Sequence, residues 1–329
     1  MKRIITGIKP TGTPHVGNYL GAIKPALKLA AEEEHQSMYF IADLHALNSI
    51  HNRSKLKSLT YEVAAAWLAL GLDPERSLFY RQSDIKELPE LHWILSSVTG
   101  KGLMNRAHAY KAQVEQNNRE GRDRDDGVNM GLFNYPILMA ADILLFNGSE
   151  VPVGKDNRQH LEMAKDIGES FNRLYGSTFD LPTPVFAEGS EIIPGLDGRK
   201  MSKSYGNTIP LFTEEKSLHK LVKRIVTDSL PPEAPKDREG SPLFTLFREF
   251  ATPIETEQMA HAFQKGIGYG EIKEELFLVM NRVIAGPRVK YRHLLENTDE
   301  IDKCLKDGGS KVRKEAAEHM DRIRERVGL

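Results

Sequence analysis

Two lysines three residues apart mark the run Gly198-Arg199-Lys200-Met201-Ser202-Lys203-Ser204-Tyr205-Gly206-Asn207. Glycines sit at its outer positions, and its interior offers two ammonium groups and several hydroxyls but no carboxylate. Such a loop suits a polyphosphate, which lysine grips as a mobile point charge. A lone Lys-x-x-Lys reads as a solvated basic turn. The full string Lys-Met-Ser-Lys-Ser is much rarer than its charges, so the functional reading is preferred. A second chemistry-bearing group is Lys9-Pro10-Thr11-Gly12-Thr13-Pro14, followed by His15-Val16-Gly17-Asn18. His15, Gly17 and Asn18 fall near a predicted helix N-terminus, where N–H groups and the helix dipole favour an anion. Gly17 would let a base or ribose approach the backbone. On its own, His15 is more often a structural or capping histidine than a catalytic one.

A third group is centred on Asp142, the sole charge in the apolar helical run from Tyr135 to Phe146. A carboxylate there is costly unless paired or hydrogen-bonded. A helix ion pair would explain it; a pocket acceptor would also. An ionised carboxylate only accepts, so it complements an indole N–H or a phenol O–H, and Asp142 alone does not choose between them. Met139 lies one turn earlier on the same face and could flank an aromatic ring. Downstream, Val151-Pro152-Val153-Gly154-Lys155-Asp156-Asn157-Arg158-Gln159-His160 starts another helix, with Asp156 and Gln159 in the form of a capping box. Gly154 and Asp156 could in addition meet ribose hydroxyls.

The elements that must position these groups alternate. A strand from Arg3 to Ile8 enters the turn, and Leu20, Ile23, Leu27 and Ala30 share a helical face. Met38 to Ala42 is a buried parallel strand with Asp43 and His45 at its C-terminal end, where ligands bind. Helices are predicted over 54–70 and 88–98, with a short strand at 77–80 between them. The pattern is α/β, a Rossmann-like parallel sheet with no G-x-G-x-x-G fingerprint. Residues 104–113 read as a helix and 115–127 as a mobile polar loop. Beyond Asn207 the pattern is all-helical, broken at Pro231-Pro232, Pro235, Pro242 and 266–270, with Pro287 forcing a new helix start. Lys220, Lys223 and Arg224 share one helical face. The charge mixture from Lys311 to Arg326 reads as a solvated surface.

Composition bounds the partners. The chain has 329 residues, a formal net charge of −1 and one cysteine, Cys304. A single cysteine excludes a disulfide framework and any four-cysteine zinc or iron–sulfur site within the chain. Near-neutral charge confines nucleic-acid binding to local patches. No apolar stretch reaches the roughly 18–20 residues of a membrane span. The basic head at Lys2-Arg3 precedes too short an apolar run for a signal peptide. A cytoplasmic location without membrane association is expected.

On these residues the chain resembles the class I aminoacyl-tRNA synthetases, most closely the bacterial tryptophanyl-tRNA synthetases. Pro14-His15-Val16-Gly17-Asn18 looks like the HIGH element, 135–144 and 151–162 look like the tryptophan-pocket and ribose segments, and 200–204 is an intact KMSKS. The resemblance implies activation of tryptophan by ATP with Mg²⁺ and its transfer to tRNA(Trp). It implies catalytic roles for His15, Asn18, Lys200 and Lys203. ATP contacts are implied at Lys9, Pro10, Thr11, Gly17, Asn18, Gly154, Lys155, Asp156, Ile192, Lys200, Met201, Ser202, Lys203 and Ser204. Asp142 becomes the indole acceptor, with Met139, His45 and Val153 lining the pocket. A catalytic domain over 1–207 with a helical dimerisation insertion at about 104–184, an anticodon-binding domain over 208–329 and a homodimer are implied as well. The chain departs from the family pattern at Lys9 and Asn157, where glutamine is usual, and at Ile5, where an aromatic residue is common. Some members carry an iron–sulfur cluster on four cysteines, which this chain lacks. A tyrosine-specific synthetase, a catalytically retired RNA-binding paralogue and a dinucleotide-forming adenylyltransferase are the rival readings.

Overall fold

The structure, a computed structural model, describes residues 2–32, 35–147, 149–152, 158–185 and 192–329. Strand β1 (Lys2–Ile8) leads through the Lys9–Pro14 turn into α1 (Val16–Asn18), a π-helical stretch at Tyr19–Ile23 and α2 (Lys24–Ala30). Strand β2 (His35–Ile41) is followed by α3 (Asp43–Ala46) and α4 (Arg53–Ala69), and β3 (Leu78–Arg81) by α5 (Glu87–Val98). Next come α6 (Lys101–Met104), α7 (His108–Arg119), α8 (Met130–Leu144), β4 (Ser149–Pro152), α9 (Arg158–Tyr175) and β5 (Thr183–Val185). The chain ends in α10 (Glu215–Lys223), α11 (Pro242–Phe250), α12 (Pro253–Lys265), α13 (Tyr269–Glu296) and α14 (Thr298–Val327).

The five strands are all parallel in the order β3-β2-β1-β4-β5. Strand order reverses between β1 and β4, so the crevice beyond their C-terminal ends is the topological switch point where such sheets bind ligands. The turn after β1 opens on that crevice. β2 and β3 deliver Asp43, His45 and Gln82 to the same rim, because each ends within a few residues of them.

Several expectations change. β4 and β5 fall almost wholly inside the 104–184 segment yet belong to the central sheet, so the helices up to α8 form its purely helical part. The predicted helix at 104–113 is two helices, α6 and α7, and α7 runs on to Arg119. The polar stretch after it closes over the buried Asn117, whose Nδ2 donates to Arg124 O (3.1 Å) and Asp126 O (2.8 Å). Pro287 lies inside α13 rather than restarting it, at the cost of one helical hydrogen bond.

The C-terminal helices pack into the same apolar clusters as the sheet. Val312, Ala316, Met320 and Ile323 of α14 pack in one apolar cluster with Ile5, Met38 and α8, while Ile301 and Leu305 join β2 and α4 in another. Gly308 lets α14 lie directly on β3, since a Cβ there would fall on the Phe79 carbonyl. Polar ties fix the seam: Arg81 Nη1 donates to Asp302 Oδ1 at 3.0 Å, and Arg313 and Arg324 pair with Glu87 and Glu90 of α5.

Candidate active site

The first half of the site is built on the turn after β1. His15 caps α1 reciprocally with Asn18: its Nδ1 accepts from Asn18 N–H at 3.3 Å, while its own N–H donates to Asn18 Oδ1 at 3.1 Å. This bond leaves the imidazole proton on Nε2. Burial, and next the Lys203 charge, push the His15 pKa down to about 4. The ring is therefore a neutral donor at ordinary pH.

Segment 193–211 folds back onto this turn. Val16 N–H donates to Ile209 O (2.9 Å) and Leu211 N–H to Pro14 O (3.0 Å), tying the lysine loop to the start of α1. Inside the loop, Met201 N–H donates to Ile193 O (2.8 Å) and Gly195 N–H to Arg199 O (2.7 Å). Asn207, fully inside, braces it: Oδ1 accepts from Ser202 N–H (2.8 Å), and Nδ2 donates to Asp197 Oδ1 (2.6 Å) and Lys200 O (3.1 Å). Met201 is buried as well, and its Sδ accepts from Gly17 N–H at 3.2 Å. The methionine thus anchors the loop while the lysines flanking it stay exposed.

Lys203 crosses the crevice. Its Nζ lies 2.9 Å from the position of a Cβ on Gly12, and together with Lys9, Thr11, Gly12, Pro14 and Asn18 it lines one cleft. Although both side chains are exposed overall, partial desolvation of their ammonium groups lowers the pKa of both Lys203 and Lys9. Lys9 also faces the Tyr135 ring, 6.0 Å from its centroid. Pro10 is buried, Ser202 Oγ accepts from Ser204 N–H at 3.3 Å, and Ile192 is exposed at the rim. Two ammonium groups thus face a cleft edged by a helix start, and no described carboxylate lines it.

The second half of the site lies on α8. Tyr135, Met139 and Asp142 follow at four- and three-residue steps and so share one face. Asp142 is 3% exposed and is approached by two donor atoms. Gln82 Nε2 donates to its Oδ1 at 2.8 Å and its Oδ2 at 2.9 Å, and His45 Nε2 reaches Oδ2 at 3.1 Å. Burial raises the Asp142 pKa, opposed by His45 and then by Gln82. Tyr135 Oη bonds His160 Nε2, and its ring meets His45 edge-on at 6.3 Å. Beside them, Asp43 accepts from Ser83 N–H (2.9 Å) and Ser83 Oγ (2.5 Å), fixing the end of β2 to the turn after β3.

The structure thus gathers Lys9, Thr11, Asn18 and Lys203 around one cleft and joins Asp142 to His45 in a separate buried polar cluster. Val153, Gly154, Lys155 and Asp156 lie outside the described residues. So does the cap of α9, and with it the expected Asp156–Gln159 capping box; among the described residues Gln159 accepts from His108 N–H (3.0 Å) and donates to Arg106 O (3.0 Å). Gln82, Asn207, Tyr135 and His160 were not assigned roles by the sequence. Only their tertiary neighbours reveal them.

Comparison with known proteins decides between the rival readings. A profile described as tRNA synthetases class I (W and Y) matches residues 1–285. A tryptophan–tRNA ligase of Xanthomonas axonopodis pv. citri is 50% identical over 329 residues, 99% of this chain and 76% of its own length. The tryptophan–tRNA ligase of Neisseria meningitidis is 49% identical over 100% of this chain and 98% of its own. The chain belongs to the bacterial-type tryptophan–tRNA ligases of class I. A solved structure of the Campylobacter jejuni tryptophanyl-tRNA synthetase, complexed with ADP and tryptophan, superposes on this synthetase with a TM-score of 0.88. It is 43% identical, over 99% of this chain and 100% of that one. A tyrosyl-tRNA synthetase of Archaeoglobus fulgidus, 20% identical with a TM-score of 0.66, shares the fold.

Proposed function

We propose that this synthetase activates L-tryptophan with MgATP to tryptophanyl-adenylate and transfers the tryptophanyl group to tRNA(Trp), releasing diphosphate and AMP. The observation that carries the reading is the buried Asp142 acceptor beside a cleft crossed by Lys203, in a chain half identical to proteins named tryptophan–tRNA ligases. In activation, the substrate carboxylate attacks the α-phosphorus, and the bond to the β-phosphate oxygen breaks. A terminal ribose hydroxyl of the tRNA then attacks the acyl carbonyl, and AMP leaves. The first step needs positioning and charge stabilisation rather than covalent catalysis. Lys203 and Lys200 bear on the leaving diphosphate, and His15 and Asn18 steady the phosphates from the helix side. Magnesium enters with the nucleotide; no cluster of three or more potential metal ligands exists among the described residues.

Asp142 accepts the indole N–H, with Met139 and His45 beside the ring. The exposed Lys220, Lys223 and Arg224 adjoin the lysine loop, since Val226 N–H donates to Leu196 O at 3.0 Å, and this suits an RNA backbone. Residues 208–329 carry anticodon recognition in this reading. A homodimer is favoured by apolar side chains left in water on three touching helices: Leu47 on the end of α3, Trp93 on α5 and Met130 on α8, at 48%, 75% and 67% exposure. No described helix is long and apolar enough to cross a membrane. Charging of a tRNA(Trp) transcript with labelled tryptophan, against labelled tyrosine, tests the assignment. Tryptophan is charged and tyrosine is not; charging of tyrosine, or of neither, overturns it.

A further inference from the structure

Gln82 is completely shielded from solvent, directly after β3, and phosphate chemistry has no use for it there. Its Nε2 straddles Asp142 Oδ1 and Oδ2 at 2.8 and 2.9 Å, and its Oε1 accepts from His45 N–H at 3.3 Å. These partners fix which way the amide points: the backbone N–H needs the oxygen, and the carboxylate needs the nitrogen. His45 Nε2 completes the set at 3.1 Å from Oδ2. Each described hydrogen-bond partner of the Asp142 side chain is thus a donor. Such a carboxylate is an oriented acceptor, which satisfies an indole N–H, whereas a ring without a donor gains nothing from it.

We propose that Gln82 is the specificity-positioning residue of the amino acid pocket: it clamps both oxygens of Asp142 and, through the His45 backbone, locks that carboxylate as the acceptor selecting a ring N–H. The proposal rests on the reading of Asp142 as the indole acceptor. The surrounding titratable groups are His45 from α3, His92 from α5 and Tyr80 from β3, with Tyr135 and His160 beyond them on α8 and α9. Burial already favours the protonated carboxyl, and the Gln82 bond opposes this. Replacing Gln82 by an apolar residue leaves Asp142 with His45 alone, free to turn and more easily protonated.

Pyrophosphate exchange tests this, with tryptophan and with β-(3-benzothienyl)alanine, in which sulfur replaces the indole N–H. In Gln82→Leu the preference for tryptophan falls about 10-fold, the scale of a lost hydrogen bond to a charged group. The loss appears in the KM for tryptophan, with kcat and the KM for ATP little changed, and it deepens as pH falls and Asp142 protonates. Gln82→Glu gives the opposite pH dependence. Two adjoining carboxyls share one proton, and the clamp fails as pH rises and that proton is lost. A wild-type enzyme without preference for tryptophan over the thio analogue sinks the Asp142 reading itself. A wild-type preference that survives in Gln82→Leu, or is lost equally at every pH in both variants, overturns the Gln82 proposal alone.

Discussion

Gly17→Ala tests the proposed nucleotide side of the site. An added Cβ would stand 3.0 Å from His15 Nδ1, 3.1 Å from His15 Cε1 and 3.4 Å from Met201 Cβ. Ordinary heavy-atom separations are about 3.5–4.0 Å, so the imidazole must retreat by roughly half an ångström. Retreat of that ring gives up the Nδ1 share of the Asn18 N–H, a 3.3 Å contact already near the limit of a hydrogen bond, and leaves that N–H its 2.8 Å bond to His15 O. Loss of a helix cap costs about 1 kcal/mol. In the proposed reading the same displacement moves His15 and Asn18 relative to the phosphates, where a misplacement of about 1 Å can cost on the order of 100-fold in rate. Tryptophan-dependent pyrophosphate exchange should therefore fall about 10- to 100-fold, the smaller figure matching the smaller shift. The tryptophan KM should change little. Gly21→Ala is the control: it lies in the same helical stretch, exposed, with nothing within 4 Å of an added Cβ. Its rate should match the wild type. A Gly17→Ala enzyme with unchanged exchange rate and unchanged melting temperature would refute the packing argument.

Lys203→Ala should slow exchange about 10²–10³-fold, as removal of one charge-stabilising donor does, while tryptophan affinity in a binding assay stays near the wild-type value. Gly308→Ala drives a methyl group into the backbone of β3. It should destabilise the protein by roughly 1–3 kcal/mol in denaturant titration, whereas Gly270→Ala, exposed with open space around it, should not. The His15 pKa falls from 6.5 to about 4 on folding, so between those values the unfolded chain binds more protons and stability rises with pH. Stability should accordingly be lost as pH drops through this window, and less steeply in His15→Gln, which has no ring to protonate.

What the sequence disclosed depended on whether the informative residues were local. The lysine loop and the His15–Asn18 turn each fit within ten residues or so, and a lone charge in an apolar helix marked Asp142. Gln82 carries no such mark. A single glutamine after a four-residue strand has no periodicity, and its partner lies 60 positions away. The packing of α14 is hidden in the sequence for a different reason. Its lysines, arginines and acids drew attention from a sparse stripe of Ile301, Leu305, Val312, Ala316, Met320 and Ile323, with Gly308 and Gly309 filling the gap in that stripe. Glycines carry no hydrophobic signal, so the face that lies closest to the sheet looked like the absence of one.

That close seat of α14 also has a consequence in time. β3 is an edge strand, Leu-Phe-Tyr-Arg, and its outer side is covered by a helix synthesised about 230 residues later. At roughly 5–20 residues per second, the nascent chain presents an apolar strand edge for on the order of 10–45 s before its own cover exists. Unpaired edges of this kind recruit other strands. Biogenesis of this enzyme therefore contains an interval in which shielding must come from outside the chain, and a product truncated before α14 would keep the edge of β3 open throughout its lifetime.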